Sequence, residues 1–167
     1  MGVSGSGKTT IAQRIHELSG FPYAEADDFH PVANKEKMSW GIPLEDEDRW
    51  PWLEIMRDWA GEQAAAGHST VITCSALKHS YRELLRQAQG RVVFFELDAG
   101  TEVLTDRMAQ RAGHFMPTSL LESQLRDLQP LRAGELGRRL DATLPPGALT
   151  AEILHTLNDY HKEGLLP

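Results

Sequence analysis

Residues 2–9 read Gly2-Val3-Ser4-Gly5-Ser6-Gly7-Lys8-Thr9. The spacing G-x-x-x-x-G-K-[ST] constrains this chain more than any other feature. Glycines let consecutive backbone N–H groups converge on one centre with no Cβ in the way. The helix that must follow aims its positive end at the same point. The loop therefore predicts a phosphate site: Gly2, Ser4, Gly5, Ser6, Gly7, Lys8, Thr9 and Thr10 are the candidate nucleotide contacts. Lys8 reaches the β- and γ-phosphates, and the Thr9 hydroxyl is a ligand for Mg²⁺. Such a loop should follow a buried strand, yet only Met1 precedes it. An upstream stretch of roughly five to eight residues is expected to supply that strand.

The rest of the chain alternates helix and strand. Apolar spacing predicts helices at 8–19 and 48–66, a helical turn at 31–39, and a helix starting near Leu77 that Gly90 closes. Further helices are expected at 101–112, 119–128 and 149–162, with Ser119 and Glu122 as a capping box for the second of these. Pro51 fits a first helical turn, where no N–H is needed. Strands are expected at 21–26, 71–74, 92–97 and 139–144. The near-continuous apolar run Val92–Leu97 suits a strand covered on both faces. The expectation is an α/β fold, a three-layer sandwich around a parallel sheet, with its first strand missing. Ligands of such sheets bind at the carboxyl ends of the strands, where the phosphate loop, Asp27 and Ser75 would meet.

Composition narrows the function. With 167 residues and 41% hydrophobic content, one domain with one core is expected over 1–167. The formal charge of −7 disfavours nucleic acid and anionic membranes as partners. No apolar run approaches 18 residues and no signal peptide is evident, so a soluble cytoplasmic protein is expected. The single cysteine, Cys74, reads as a small buried thiol.

Several residues carry chemistry beyond the loop. Asp27 follows a strand at the active edge, placed to accept or orient a substrate hydroxyl, or else to cap a helix; Asp28 is the better cap. His30 is a substrate hydrogen-bonding candidate or a structural loop residue. Arg49 opens a helix, an unfavourable place for a cation unless an anion lies near; an ion pair with Asp46 or Asp48 competes. Lys78 and Arg82 put further cations at a helix start, and a solvated face competes. Arg107 and Arg111 share a helix face ahead of Gly113-His114-Phe115, which looks like a lid over about 107–125 that brings arginine onto a transferring phosphoryl group. Leu104 and Met108 read as core. Trp40 or Trp50 is a candidate to stack on a sugar, although packing is the commoner use of tryptophan. The histidines show no metal-ligand spacing.

Taken together, the phosphate loop, Asp27-Asp28-Phe29-His30-Pro31 with Asn34, Lys37 and Met38, Gly41–Leu44 running into Asp46–Leu53, and Cys74–Lys78 with Tyr81 and Arg82 resemble the gluconate kinases. Arg107, Arg111, Gly113–Phe115, Ser123-Gln124, Leu128 and Pro130 extend the likeness over nearly the whole chain. These enzymes belong to the P-loop NTPase, nucleoside-monophosphate-kinase-like group, akin to shikimate and adenylylsulfate kinases. The resemblance implies phosphorylation of D-gluconate at its 6-hydroxyl by Mg-ATP, in a homodimer. It implies Lys8, Asp27, Arg107 and Arg111 as catalytic residues. It implies Asp27, His30, Arg49, Lys78, Arg82 and Gln124 as the gluconate site. Ala26 replaces a glycine common in the family and fits only where φ is negative; Ala112 stands where a basic residue is common. Another acceptor acid, or a nucleotide-binding module without catalysis, are the competing readings.

Overall fold

The computed structural model describes residues 1–110 and 118–167. In chain order these form α1 (Lys8–Ser19), β1 (Tyr23–Glu25), a 3₁₀ turn (Ala26–Phe29), α2 (Val32–Ser39), α3 (Asp46–Ala65), β2 (Val71–Thr73), α4 (His79–Leu85) and β3 (Phe94–Asp98). Then follow α5 (Thr101–Ala109), α6 (Thr118–Asp127), β4 (Gly137–Asp141) and α7 (Pro146–Lys162). The α/β alternation is as expected, with differences at the edges. Glu45 and Asp48 close a capping box ahead of α3. That starts the helix at Asp46 and leaves Pro51 in its second turn, not its first. α6 begins at Thr118, so Ser119 lies inside the helix and not at its cap. α4 stops at Leu85, and turns carry the chain on to Gly90.

All strand pairing among the described residues is parallel. β1 lies beside β2, with Tyr23 opposite Val71 and Glu25 opposite Thr73. β3 lies beside β4, with Phe94 opposite Gly137 and Asp98 opposite Asp141. These are two two-stranded sheets where one continuous sheet was expected. Met1 lies between the pairs. Its amino group donates to the Phe95 carbonyl, its own carbonyl accepts from the Leu97 N–H at 2.9 Å, and the next N–H, of Gly2, donates to Ser75 at 3.2 Å. Behind Met1 a cavity of about 560 Å³ separates the sheets, lined by Ile11, Ile15, Ile72, Cys74 and Phe95 among others.

Helices cover both faces. On one, Ile11 and Ile15 of α1 pack with Leu149 and Ile153 of α7 over Leu97 and Leu140. On the other, Trp52, Leu53 and Met56 of α3 pack with Tyr81 of α4 over Ala26, Cys74 and Ala76. A third cluster joins Val3 of the loop to Leu77, Leu104 and Leu121, fixing α5 and α6 against the phosphate loop. Cys74 is buried, and burial pushes its thiol up to about 11, so it behaves as a small hydrophobe.

Candidate active site

The loop's backbone is shaped for an anion. Gly5 (φ 80°) and Gly7 (φ 95°) hold left-handed conformations that L side chains rarely adopt. A Cβ on Gly5 would also lie 3.1 Å from both the Leu104 carbonyl oxygen and Met108 Cγ, because α5 packs directly on the loop. Gly7 is the N-cap of α1, whose first turn carries no acidic residue to compete for the helix's positive end. Lys8 Nζ donates to the Val3 carbonyl at 2.9 Å, curling over its own loop. The Ser4 N–H donates to Gln124 Oε1 at 2.7 Å. Gln124, expected at the acceptor substrate, is thus held on the phosphate loop by α6. Ser6 is buried, and its hydroxyl has no partner among the described residues. Thr10 is exposed in the first turn of α1. This donor set, glycine-shaped and headed by Lys8 and Thr9, fits a nucleoside triphosphate with Mg²⁺.

A carboxylate that sequence reading missed joins the loop to the sheet. Glu25, the last residue of β1, accepts hydrogen bonds from the hydroxyls of Tyr23 and Thr73, and Thr9 and Lys8 of the loop act on its charge as well. Burial pushes its carboxyl up, but these three hydroxyls together with Lys8 outweigh burial and hold it below the usual range. The signal was present in the sequence: an acid in a short strand, two residues before Asp27, in reach of the loop's threonine.

Asp27 lies in the 3₁₀ turn directly after β1 with its carboxylate largely exposed. Ala26 keeps a negative φ, since Ala76 (φ 42°) alone among the described non-glycine residues has a positive one. The glycine-to-alanine departure is therefore without strain. Asp28 does not cap α2; Pro31 holds that position.

His30 is buried and stacked on Trp52, ring centroids 4.1 Å apart and planes within 14°. Its Nε2 is 3.9 Å from Asp27 Oδ1. Burial, with Arg49 and Lys35 adding repulsion, pushes the imidazole down to about 4, so the ring is neutral at physiological pH.

Arg49 is buried, with Nε on the Leu44 carbonyl at 3.2 Å and its guanidinium 5.7 Å from the Tyr81 ring centroid. The competing ion pairs go to other cations. Asp46 takes Lys78 at 2.6 Å and the Tyr81 hydroxyl, while Asp48 takes Lys37 at 2.7 Å and the Glu45 N–H. Hydrogen bonds from Lys78 and Tyr81 hold the Asp46 carboxyl below its usual range, and those from Lys37 and Glu45 do the same for Asp48. Trp50 packs edge-on to Tyr81 at 5.2 Å, whereas Trp40 is 72% exposed.

Two arginines are placed differently from expectation. Arg82 is 0% exposed. Its guanidinium meets Glu135 at 2.6 and 2.9 Å and the carbonyls of Ala76, Leu77, Gln129 and Pro130. Enclosed and with its donors engaged, it ties α4 to the chain at Gln129, Pro130 and Glu135. Arg107 donates to the Ala142 carbonyl at 2.7 Å, fastening α5 to the loop after β4. Arg111, Ala112 and Gly113–Phe115 lie outside the described residues.

Residues 1–131 match the family described as AAA domain. A gluconokinase of Gluconobacter oxydans is 47% identical over 154 residues, 92% of this chain and 86% of that protein. A thermosensitive gluconokinase of Escherichia coli is 46% identical over 81% of this chain and 72% of its own. The crystal structure of a gluconokinase from Sinorhizobium meliloti superposes with a TM-score of 0.85 at 43% identity, covering 98% of this chain and 91% of that one. The chain belongs to the gluconokinase family, on the P-loop kinase fold.

Proposed function

We propose that this chain transfers the γ-phosphoryl group of ATP to the 6-hydroxyl of D-gluconate, giving ADP and 6-phospho-D-gluconate. The observation that carries this reading is the hydrogen bond from the Gly2 N–H to the Ser75 carbonyl, just beyond β2, the strand paired in parallel with β1. It sets the phosphate loop at the edge where β1 ends, two residues before Asp27. Donor and acceptor sides of a phosphoryl transfer then meet at one sheet edge.

The loop N–H groups and Lys8 bind and orient the β- and γ-phosphates. The Thr9 hydroxyl would hold Mg²⁺. Bound with the nucleotide, Mg²⁺ supplies charge neutralisation at the phosphate oxygens. Asp27 receives the proton of the acceptor hydroxyl as the new O–P bond forms and the bond to ADP breaks. His30, Arg49 and Lys78 form the wall for the hydroxy acid, the two cations facing its carboxylate. The stretch over about 107–125 acts as a lid that excludes water, with Arg107 anchoring its base on the Ala142 carbonyl and Arg111 serving the transferring phosphoryl group. The family likeness supports a cytoplasmic homodimer.

The test is ADP release by the purified chain with Mg-ATP, in the presence of D-gluconate, shikimate or other aldonates. Turnover with D-gluconate alone is expected. Retained ATP binding with no gluconate-dependent turnover, or preference for another acid, overturns the assignment.

A further inference from the structure

We infer that Asn34 and His30 form a positioning relay, which fixes the imidazole proton on Nε2 and directs it at the Asp27 carboxylate. The relay rests on the reading of Asp27 as the group that receives the acceptor hydroxyl's proton.

The argument starts one helix away, at a backbone carbonyl. Asn34 of α2 is 4% exposed, and its amide nitrogen lies 2.8 Å from the carbonyl oxygen of Asp48 in the first turn of α3. A carbonyl only accepts, so the group facing it must be the NH₂; the opposite flip would set two oxygens against each other in a buried site. The same NH₂ lies 3.3 Å from His30 Nδ1. With one N–H on Asp48, its second N–H points to that nitrogen, and Nδ1 must accept. A neutral imidazole carries one proton, which then sits on Nε2. Nε2 is the ring nitrogen facing Asp27, 3.9 Å from Oδ1.

The ring cannot turn to present its other edge. It is stacked on Trp52, and the Trp52 indole N–H donates to the Ala26 carbonyl at 2.7 Å. The surface under the ring is thereby tied to the residue directly before Asp27. Burial beside Arg49 and Lys35 keeps the imidazole uncharged. That matters for the chemistry. An imidazolium beside Asp27 would stabilise the carboxylate as an ion and weaken it as a proton acceptor. A neutral Nε2–H orients the carboxylate through a hydrogen bond and preserves more of its basicity. A modest turn of the exposed Asp27 side chain brings its oxygen from 3.9 Å into bonding range. In this relay His30 is a positioning residue, and Asn34 positions it in turn.

The tautomer is read directly from nitrogen-15 shifts and two-bond couplings of the imidazoles in the whole wild-type chain at pH 7, His30 being assigned by its loss in His30→Gln. The expected pattern is a neutral ring protonated at Nε2. In Asn34→Asp the carboxylate accepts where the amide donated, and the proton is expected to move to Nδ1. A wild-type ring protonated at Nδ1, or at both nitrogens, overturns the relay whatever the kinetics show.

Kinetics supply the second arm. His30→Gln carries an amide N–H to the place of Nε2 and is expected to lose clearly less kcat than His30→Asn. His30→Asn reaches only the place of Nδ1, and is expected to lose roughly 10–100-fold in kcat with KM for Mg-ATP unchanged. Equal losses in both variants, with thermal unfolding intact, overturn the positioning role. Asp27→Asn run alongside separates the relay from the reading beneath it: an unchanged kcat there removes Asp27 from the chemistry, and the relay's purpose with it, even where the tautomer is as inferred.

Discussion

Lys8 holds its ammonium against the carbonyl of Val3, five residues back on the same loop. A cation so placed meets a phosphate without a large rearrangement of backbone, which is the condition for charge stabilisation at low reorganisation cost. Lys8→Ala is therefore expected to lower kcat/KM by about 1,000-fold or more while the melting temperature stays within a few degrees. Steady-state ADP release and a thermal melt check both, and activity within tenfold of the parent would remove Lys8 from the mechanism. Arg82 answers to a different measurement. Hydrogen bonds from Arg82, aided by the Arg132 N–H, hold the Glu135 carboxyl down at about 2, against an ordinary value of 4.5. A depressed carboxyl stabilises the fold fully above its unfolded value and loses that contribution as pH falls through the folded one. On the order of 3 kcal/mol is present at pH 7 and fades between about pH 4.5 and pH 2. The wild type is thus expected to lose stability more steeply than Glu135→Gln between pH 5 and pH 3 in urea titrations. Arg82→Met, which leaves Glu135 buried without its cation, is expected to cost about 3–5 kcal/mol. A raised KM for gluconate at unchanged stability would return Arg82 to the substrate site.

Elements were more legible in the sequence than their ends and their polar partners. The 3.6-residue period placed α1 at its observed bounds and α7 within three residues of its start, because apolar faces alone set those helices. The start of α3 was missed because Glu45 and Asp48 act as caps, whereas the run of acids reads from sequence as a counter-charge for Arg49. The phosphate loop, Asp27 and His30 were legible as a site because a local motif carries each. Arg82 was not: its partner Glu135 stands 53 residues away, and no periodicity reports on that distance. Glu25 was passed over for the same reason, its tie to Thr73 being visible only once β1 and β2 pair. The turn between β2 and α4 shows what such long-range ties demand of the backbone. Ala76 holds φ 42° with 1% of its surface exposed, and the strained turn aims the carbonyls of Ala76 and Leu77 at Arg82 Nη1, at 3.1 and 3.3 Å. A β-branched side chain is far less tolerant of that conformation than alanine. Ala76→Val is expected to destabilise by about 2–4 kcal/mol, from backbone strain and overpacking together. Ala76→Gly, where relief of strain and loss of a buried methyl oppose each other, is expected to stay within about 1 kcal/mol of wild type. Equal effects of the two in denaturant titrations would show that the turn's conformation is not what limits position 76.

At the scale of the whole molecule, the space between the two sheets is the dominant energetic fact. β2 and β3 face each other across an apolar cavity of about 560 Å³, and only Met1, bonded to Phe95 and Leu97 of β3, and Gly2, bonded to Ser75 just beyond β2, reach across it. The backbone groups of β2 and β3 that line the slot also lie apart from one another, unlike those within each pair. An extended apolar segment of about five residues, joined ahead of Met1, answers both costs at once. It fills the cavity and offers a parallel ladder to both neighbours at the usual rise of about 3.3 Å per residue. A β-branched pentapeptide fused before Met1 is accordingly expected to raise the melting temperature by roughly 10 °C or more, and to slow amide exchange at Val71–Thr73 and Phe94–Leu97. A serine–glycine pentapeptide offers the same backbone but supplies no side chains to the slot, so it is expected to gain little. Equal gains from the two extensions would show that the open apolar space between the sheets is not what limits this fold.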